Sequence, residues 1–487
     1  MTSLIQFDPL SSYRSLRRSN SRSVRLQVAD GARSLYARAY ESMLYPAWQG
    51  VMRGRPIGAQ RRDLENTQWM AREERDVLQL ASLRALLEHA GKNVPYWREL
   101  FRKVGFEPRE VQSAADLAFL PLLTREIIHE RFADLVDPSH RGTNITKGTS
   151  GTSGVPLKFE HCNESEAWRQ AIRLRGYAWA GYQVGMPTLH YWGAGVAAPP
   201  SGLAGQKVKV DRALRREVYV DAARQDEASM RRTADLIARM RPHAIIAYTQ
   251  ALASFARWVA DQDCRDWPDI HVICCAEAVM PHDRAVIERV FGSEVYETYG
   301  SRETMLMGAE CELHEGLHMS EENVLLELTR DGRPVPAGTM GDVVVTDLHN
   351  YGMPFIRYVN GDMATEDDGG CFCGRTLRKL ARVEGRRMDT LHDAQGNPVP
   401  GIVFASLLQN DAGSLRAFQV VQKVNGDIEL KVVRGRDWNE GRFAGAAERI
   451  RAYFKGLPLR VTYCDEIPVA KSGKRRPIVV ETSASQG

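Results

Sequence analysis

Between Glu227 and Cys275 the chain alternates two periods, and this limits its fold more than any other feature. Glu227 to Met240 spaces its apolar residues as a helix does, and His243-Ala244-Ile245-Ile246-Ala247-Tyr248 is an apolar run of strand length. Leu252 to Asp261 returns to helical spacing, and His271 to Cys275 is again strand-like. Such alternation is the signature of a parallel α/β sheet. Upstream, Asp30 to Val136 reads as helical, with Leu78, Leu80, Leu83, Leu86 and Leu87 on a 3.6-type spacing. From Asn144 the texture changes to short β-type runs punctuated by glycine, and Val324 to Leu328 and Asp342 to Thr346 read as further strands. A second boundary falls near Glu384 to Asp389. Beyond it lie strands at Phe418 to Lys423 and Ile428 to Val433, a helix at Ala446 to Phe454, a last strand at Leu459 to Cys464 and a basic tail, Ala470 to Arg476. The expected organisation is a flexible arm at 1–29, a large α/β domain with a helical start at 30–385 and a small mobile α+β domain at 386–487.

Length and charge narrow the function. The 487 residues exceed one ordinary domain, and 65 basic against 61 acidic residues give a net charge of only +4. A dedicated nucleic-acid binder would carry a larger, clustered basic excess. No apolar run approaches the roughly 18 residues of a spanning helix; the richest, Ala244 to Ala260, is interrupted by Gln250, Ser254 and Arg257. The N-terminus is rich in Ser and Arg but lacks the apolar core of a secretion signal, so a mobile arm or a transit peptide are the readings and a cytoplasmic location is expected. The sequons at Asn144 and Asn163 then carry no meaning, and the eight cysteines read as thiols or metal ligands.

The sharpest local signal is Lys147-Gly148-Thr149-Ser150-Gly151-Thr152-Ser153-Gly154-Val155-Pro156. Small hydroxylated residues alternating with glycine let backbone N–H groups and hydroxyls converge on phosphate oxygens. The Walker A pattern is absent, and the loop lies between two β-like runs. With its continuation Leu157-Lys158-Phe159, this loop resembles the signature of the adenylate-forming superfamily of acyl-CoA synthetases. The nearest branch is the phenylacetate–CoA ligase-like one, which includes relatives associated with capsular polysaccharide. Tyr299-Gly300-Ser301-Arg302-Glu303 resembles the Tyr-Gly-x-x-Glu segment, Asn360-Gly361-Asp362 the Gly-Asp step, Gly385-Arg386-Arg387-Met388-Asp389 the hinge and Ser472-Gly473-Lys474 the C-terminal lysine. Leu86 to Phe101 and Leu120 to Thr124 extend the likeness over nearly the whole chain.

The resemblance implies ATP-dependent activation of a small-molecule carboxylic acid to an acyl-adenylate, then transfer to a thiol, coenzyme A first, or to an amine. It implies Thr149, Ser150, Gly151, Thr152, Ser153 and Gly154 around the β- and γ-phosphates, Glu303 as the Mg²⁺ anchor and Asp362 on the ribose. Lys474 is the residue that stabilises charge at the reacting centre, and Arg386 to Asp389 the pivot, with Met388 departing from the Asp or Lys common in relatives. Glu277, Tyr299, Gly300, Ser301, Arg302 and Arg386 complete the nucleotide set, and the acyl pocket is expected among Tyr191-Trp192-Gly193, Tyr248 to Leu252, Cys275-Ala276-Glu277 and Tyr299-Gly300. A homodimer is the expected assembly. The alternative is a catalytically silent nucleotide-binding or scaffold protein on the same fold.

A second chemistry is written in the cysteines. Cys371 and Cys373 share a tight turn, and Cys311 lies some sixty residues earlier with His314 and His318. Three thiolates and one imidazole are the ligand composition of structural zinc, and the resembled branch includes members with such a site. Cys311, His318, Cys371 and Cys373 are the favoured ligands, with His314 the alternative imidazole. His314-Glu315-Gly316-Leu317-His318 also matches the H-E-x-x-H pattern of zinc peptidases. Gly316 and the strand-like run that follows deny it the helix that would align the two imidazoles.

Overall fold

The computed structural model describes residues 35–52, 57–149, 157–193, 202–386, 391–396, 398–399, 415–435, 438–467 and 478–481. Up to residue 386 they are organised by a twelve-stranded sheet. Its five neighbours Glu217–Asp221, Thr188–Trp192, Ala244–Tyr248, His271–Cys275 and Val295–Ser301 run parallel. The connecting helices are Gly202–Arg215, Glu227–Met240, Thr249–Gln262 and Pro281–Phe291. Side chains in a strand alternate between faces, and a sheet covered on both sides is apolar on both. Ile245, Ala247, Val272 and Cys274 accordingly enter one core with Phe255 and Ile287, while Ala244, Ile246, Ile273 and Cys275 enter another against the helix Asn163–Trp179.

At Val295–Ser301 the sheet changes character. This strand turns back antiparallel on Met305–Glu310, with Thr298 opposite Ala309 and Ser301 opposite Met305. The strands beyond, Leu317–Met319, Lys379–Arg386, Tyr358–Asp367, Met340–Asp347, Val324–Arg330 and Arg333–Pro334, continue antiparallel. The turn is tight enough to require glycine, since a Cβ on Gly300 would lie 2.0 Å from the Met305 carbonyl oxygen. The N-terminal helices Arg72–Asn93 and Pro95–Val104 pack onto this half. Leu83, Leu86, Leu87 and Trp97 are buried, Leu78 is exposed, and the Trp97 indole donates to the Pro354 carbonyl at 3.1 Å.

Residues beyond 391 build a core of their own. A four-stranded sheet in the order Leu459–Tyr463, Ile428–Arg434, Leu415–Gln422, Ile478–Val480 is covered by the helix Glu440–Tyr453 through Phe443, Ala446, Ala447 and Ile450. The expected arm at 1–29 and most of the expected hinge, 387–389, lie outside the described residues.

The elements at Glu227–Met240 and His271–Cys275 fall where the sequence put them. Two readings are corrected. The helix Asn163–Trp179 occupies a stretch read as β-type, because Glu166, Arg169, Arg173 and Arg175 are buried on it and break up its apolar stripe. Leu459–Tyr463 is not the last strand, since Ile478–Val480 pairs in parallel with Leu415–Gln422. Gly300→Ala should lower stability by about 2 kcal/mol or more through overpacking. Gly445→Ala, mid-helix with only the tip of Arg449 near its added carbon, should raise it by up to about 1 kcal/mol in the same denaturant titration.

Candidate active site

The hairpin at the end of the parallel strands places the motif residues. Leaving Val295–Ser301, the chain turns through Arg302, Glu303 and Thr304, with the Thr304 N–H donating to Ser301 Oγ at 3.2 Å and the two hydroxyls 3.0 Å apart. Met305 then sits at φ 67°, a left-handed conformation that a non-glycine residue seldom adopts. The turn is clamped from behind. Arg169, fully buried on the helix Asn163–Trp179, donates to the carbonyl oxygens of Glu303 and, at 2.6 Å, of Arg302. The Glu303 carboxylate takes the Tyr358 hydroxyl at 3.2 Å on Oε1, and its Oε2 accepts from no described residue. One face of Glu303 is thus fixed by the protein and the other is left for a cation or solvent.

Tyr299 joins this turn to the antiparallel half. Its hydroxyl donates to Asp362 Oδ2 at 2.9 Å, and the Asn360 amide donates to both that hydroxyl, at 2.8 Å, and Asp362 Oδ2, at 3.0 Å. Asn360 Oδ1 in turn accepts the Asp362 backbone N–H at 2.9 Å. One carboxylate oxygen of Asp362 is therefore anchored, which orients the other. The part of Asn360 was missed in the sequence, where only the Gly-Asp step carried weight.

The glycine-rich loop is pinned at its base. Ile145–Gly148 and Lys158–His161 form a two-stranded ribbon, Thr149 N–H donates to the Leu157 carbonyl at 2.9 Å, and Leu157 N–H to Thr149 Oγ1 at 3.0 Å. Arg125 donates to the same hydroxyl at 3.1 Å. Ser150 to Gly154 lie outside the described residues, as do Lys474 and the Arg386 side chain. Lys147, at the foot of the loop, donates to Glu166 Oε2 at 3.0 Å, where the buried His161 ring also donates at 2.8 Å. Burial alone would raise the Glu166 pKa, but the His161 hydrogen bond and the charges of Lys147 and Arg169 outweigh it and hold the carboxyl far below its ordinary range. Burial pushes His161 down to about 4, so its ring is neutral at pH 7.

Among the expected acyl-pocket residues, Trp192 and Tyr248 lie 4.5 Å apart between ring centroids, and Glu277 Oε2 accepts the Gln250 N–H at 3.0 Å. Ala276, at φ 71°, makes the turn that returns Glu277 over that helix. Tyr191 faces the other way, into the core beside Phe255.

Cys311, His318, Cys371 and Cys373 converge, their ligand atoms all within 4.8 Å of one another. Cys311 Sγ and Cys371 Sγ are 3.7 Å apart, and Cys373 Sγ lies 3.4 Å from His318 Nε2. Zinc–sulfur bonds of about 2.3 Å in a tetrahedron require sulfur–sulfur edges of about 3.8 Å, so the donors fit. The His318 Nδ1 lies 3.4 Å from the Leu377 carbonyl, which turns Nε2 toward the thiols. His314, the alternative imidazole, instead approaches Glu310 at 3.1 Å and Glu294 at 3.4 Å. With His314 at φ 53°, Gly316 at φ 92° and the strand Leu317–Met319 following, the H-E-x-x-H match is not helical.

No family model matches the chain. Curated relatives do: it is 27% identical over 380 residues to a phenylacetate–coenzyme A ligase of Thermus thermophilus, covering 74% of this chain and 82% of that one. It is also 26% identical over 445 residues to a phenylacetate–coenzyme A ligase of Aromatoleum evansii, covering 86% of this chain and 97% of that one. Among solved structures, a 2-hydroxyisobutyryl-CoA ligase in its postadenylation state superposes with a TM-score of 0.69 at 19% identity, over 85% of this chain and 91% of that one. The fold is therefore that of an adenylate-forming ligase. No helix among the described residues is long and apolar enough to cross a membrane.

The His161–Glu166 pair sets a pH dependence. Both groups have folded pKa values below their unfolded ones, so each favours the folded state fully above its unfolded pKa and loses that advantage as pH falls. Stability should decline from about pH 6.5 downward as unfolded histidine takes protons, and more steeply below about 4.5 where unfolded glutamate does. His161→Gln should flatten the first part of a urea-midpoint profile without abolishing it, because His271 and His349 are also held down to about 4 by burial.

Proposed function

We propose that this chain couples ATP to a carboxylic acid, forming an acyl-adenylate and pyrophosphate, and passes the acyl group to a thiol. Coenzyme A is the first candidate acceptor and an amine the second. The observation that carries the reading is the Tyr299-to-Glu303 turn joined to Asn360 and Asp362 beside a pinned glycine-rich loop. Its support is sequence likeness to ligases that make this class of thioester.

The reaction brings two anions together, the acid carboxylate and the α-phosphate, and expels a third. The hydroxyls and N–H groups of the glycine-rich loop would donate to the β- and γ-phosphates. Asp362, with one oxygen anchored by Tyr299 and Asn360, presents the other to ribose hydroxyls. Mg²⁺ held on Glu303 Oε2 would neutralise phosphate charge. Lys474, in the C-terminal domain proposed to begin at 386, would supply the cation that steadies charge on the α-phosphate and carboxylate as pyrophosphate departs. Acid-dependent exchange of labelled pyrophosphate into ATP, with phenylacetate as the reference acid, is the direct test. Lys474→Ala should lower it about 100-fold or more while nucleotide binding survives, and Glu303→Gln should raise the Mg²⁺ requirement. Exchange without these dependences would contradict the assignment.

The four converging donors are proposed to hold one structural zinc. The burial of Cys311 and His318 and the closed set of three thiols and one imidazole support a role in folding. Metal analysis should return about one equivalent of zinc, lost in Cys371→Ser/Cys373→Ser together with several degrees of thermal stability. Full zinc in that variant would refute the ligand set.

A further inference from the structure

The glycine-rich loop leaves its ribbon at Thr149, and the hydroxyl there accepts two hydrogen bonds. One comes from the Leu157 N–H at 3.0 Å and the other from Arg125 Nη2 at 3.1 Å. A threonine oxygen has two lone pairs and one proton. With both lone pairs filled, the proton must be given elsewhere, and it reaches no acceptor among the described residues. Arg125 is in the same condition. It is half-buried, its other N–H groups donate to no described residue, and no described carboxylate comes within 4 Å of it. The adjacent Glu126 is exposed, and its carboxyl is held below the ordinary range mainly by the Thr124 hydroxyl and its own N–H, the Arg125 charge adding less. A hydroxyl and a guanidinium with protons to give therefore stand side by side at the start of the loop.

The backbone fixes where this cation sits. Leu123, two residues earlier, is bonded on both sides of Tyr358: its N–H donates to the Arg357 carbonyl at 2.9 Å, and its carbonyl accepts the Val359 N–H at 3.0 Å. Tyr358 is the residue whose hydroxyl holds Glu303 Oε1. Beyond Arg125, the short helix Arg125–Glu130 begins with the Ile127 N–H on Thr124 Oγ1 at 3.4 Å and leads to Phe132. The Phe132 ring lies 4.7 Å from the ammonium of Lys158, the residue opposite Gly148 in the ribbon. Arg125 is thus tied by its side chain to the foot of the loop and by its backbone to the strand Tyr358–Asp367. Those are the two elements read above as holding the phosphates, the ribose and, through Glu303, the Mg²⁺.

We propose that Arg125 is a catalytic residue that binds the pyrophosphate portion of ATP, its free N–H groups and the Thr149 hydroxyl donating together to β- and γ-phosphate oxygens. This rests on the acid-activating reading above. As the acid's carboxylate oxygen bonds to the α-phosphorus, the bond from that phosphorus to the α,β-bridging oxygen breaks and its electron pair stays on pyrophosphate. A planar, permanently charged guanidinium matches the oxygens that take up this charge. AMP and the acyl-adenylate lack those oxygens, so Arg125 separates the nucleotide before the step from the nucleotide after it.

Binding of ATP, AMP and inorganic pyrophosphate to the full chain is measured by calorimetry, beside the pyrophosphate exchange rate. Arg125→Gln should weaken ATP and pyrophosphate about 10-fold or more while AMP stays within about twofold of wild type. Arg125→Lys, which keeps the charge, should recover part of the loss. The Gln amide can still donate to Thr149, so a residue that merely positioned the loop would be replaced as well by Gln as by Lys. Equal behaviour of the two variants would overturn the proposal, as would an equal loss for ATP and AMP or no loss for either. Should Arg125→Gln fail to fold, Arg125→Lys decides alone: ATP weakened several-fold with AMP unchanged supports the proposal, and any parallel response of the two nucleotides refutes it. A wild-type chain that binds neither ATP nor AMP would count against the ligase reading itself and take this proposal with it, a result seen before any variant is made.

Discussion

The site depends on one buried guanidinium. Arg169 reaches across from the helix Asn163–Trp179 to hold the carbonyls of Arg302 and Glu303. Those carbonyls belong to the turn where the sheet passes from parallel to antiparallel pairing. A backbone turn has few ways to resist being pushed by a ligand, and a guanidinium fork bonded to two successive carbonyls is one of the stiffest, because it fixes position and direction together. Glu166 and Asp347 balance the charge; burial pushes Asp347 up to about 6 against the pull of Arg169. The same helix carries the tie to the phosphate loop through Glu166, so loop and turn are referred to one rigid rod.

Much of the sheet was legible in the sequence. Glu227–Met240, Ala244–Tyr248 and His271–Cys275 have the lengths and periods of elements whose burial is apolar, and apolar burial is what periodicity records. The helix Asn163–Trp179 was not legible, because it buries charge: Glu166, Arg169, Arg173 and Arg175 all face inward, with Arg169 bonded to the Arg302 and Glu303 carbonyls, Arg175 to Glu322 and Arg173 to Gln170 on the same helix. Long-range pairing leaves no local period. Ile478–Val480 was hidden for a different reason, being three residues long behind a basic tail.

The candidate site divides along the same line. Glu303, Tyr299 and Asp362 stand in short motifs whose spacing survives in a linear reading. Tyr358 and Asn360, which orient them, are polar residues of a strand and could be recognised only once the antiparallel half had folded back. Among the histidines near Cys311, the sequence left two open. The choice is made by backbone direction: the left-handed residues at 314 and 316 send His314 toward Glu310 and the next strand carries His318 toward the thiols.

The thiol–imidazole cluster also ties distant parts of the chain. Cys311 and Cys371 bracket Val324–Arg330, Met340–Asp347 and the whole of Tyr358–Asp367, the strand that bears Asp362. A metal bridging those ends would turn sixty residues into a closed ring, removing loop-closure entropy from the unfolded chain and leaving the strands between them to find their registers inside a confined volume. Metal supply would then govern how quickly newly made chains acquire a nucleotide-binding face, and ageing protein deprived of it would lose that face before it lost the parallel half.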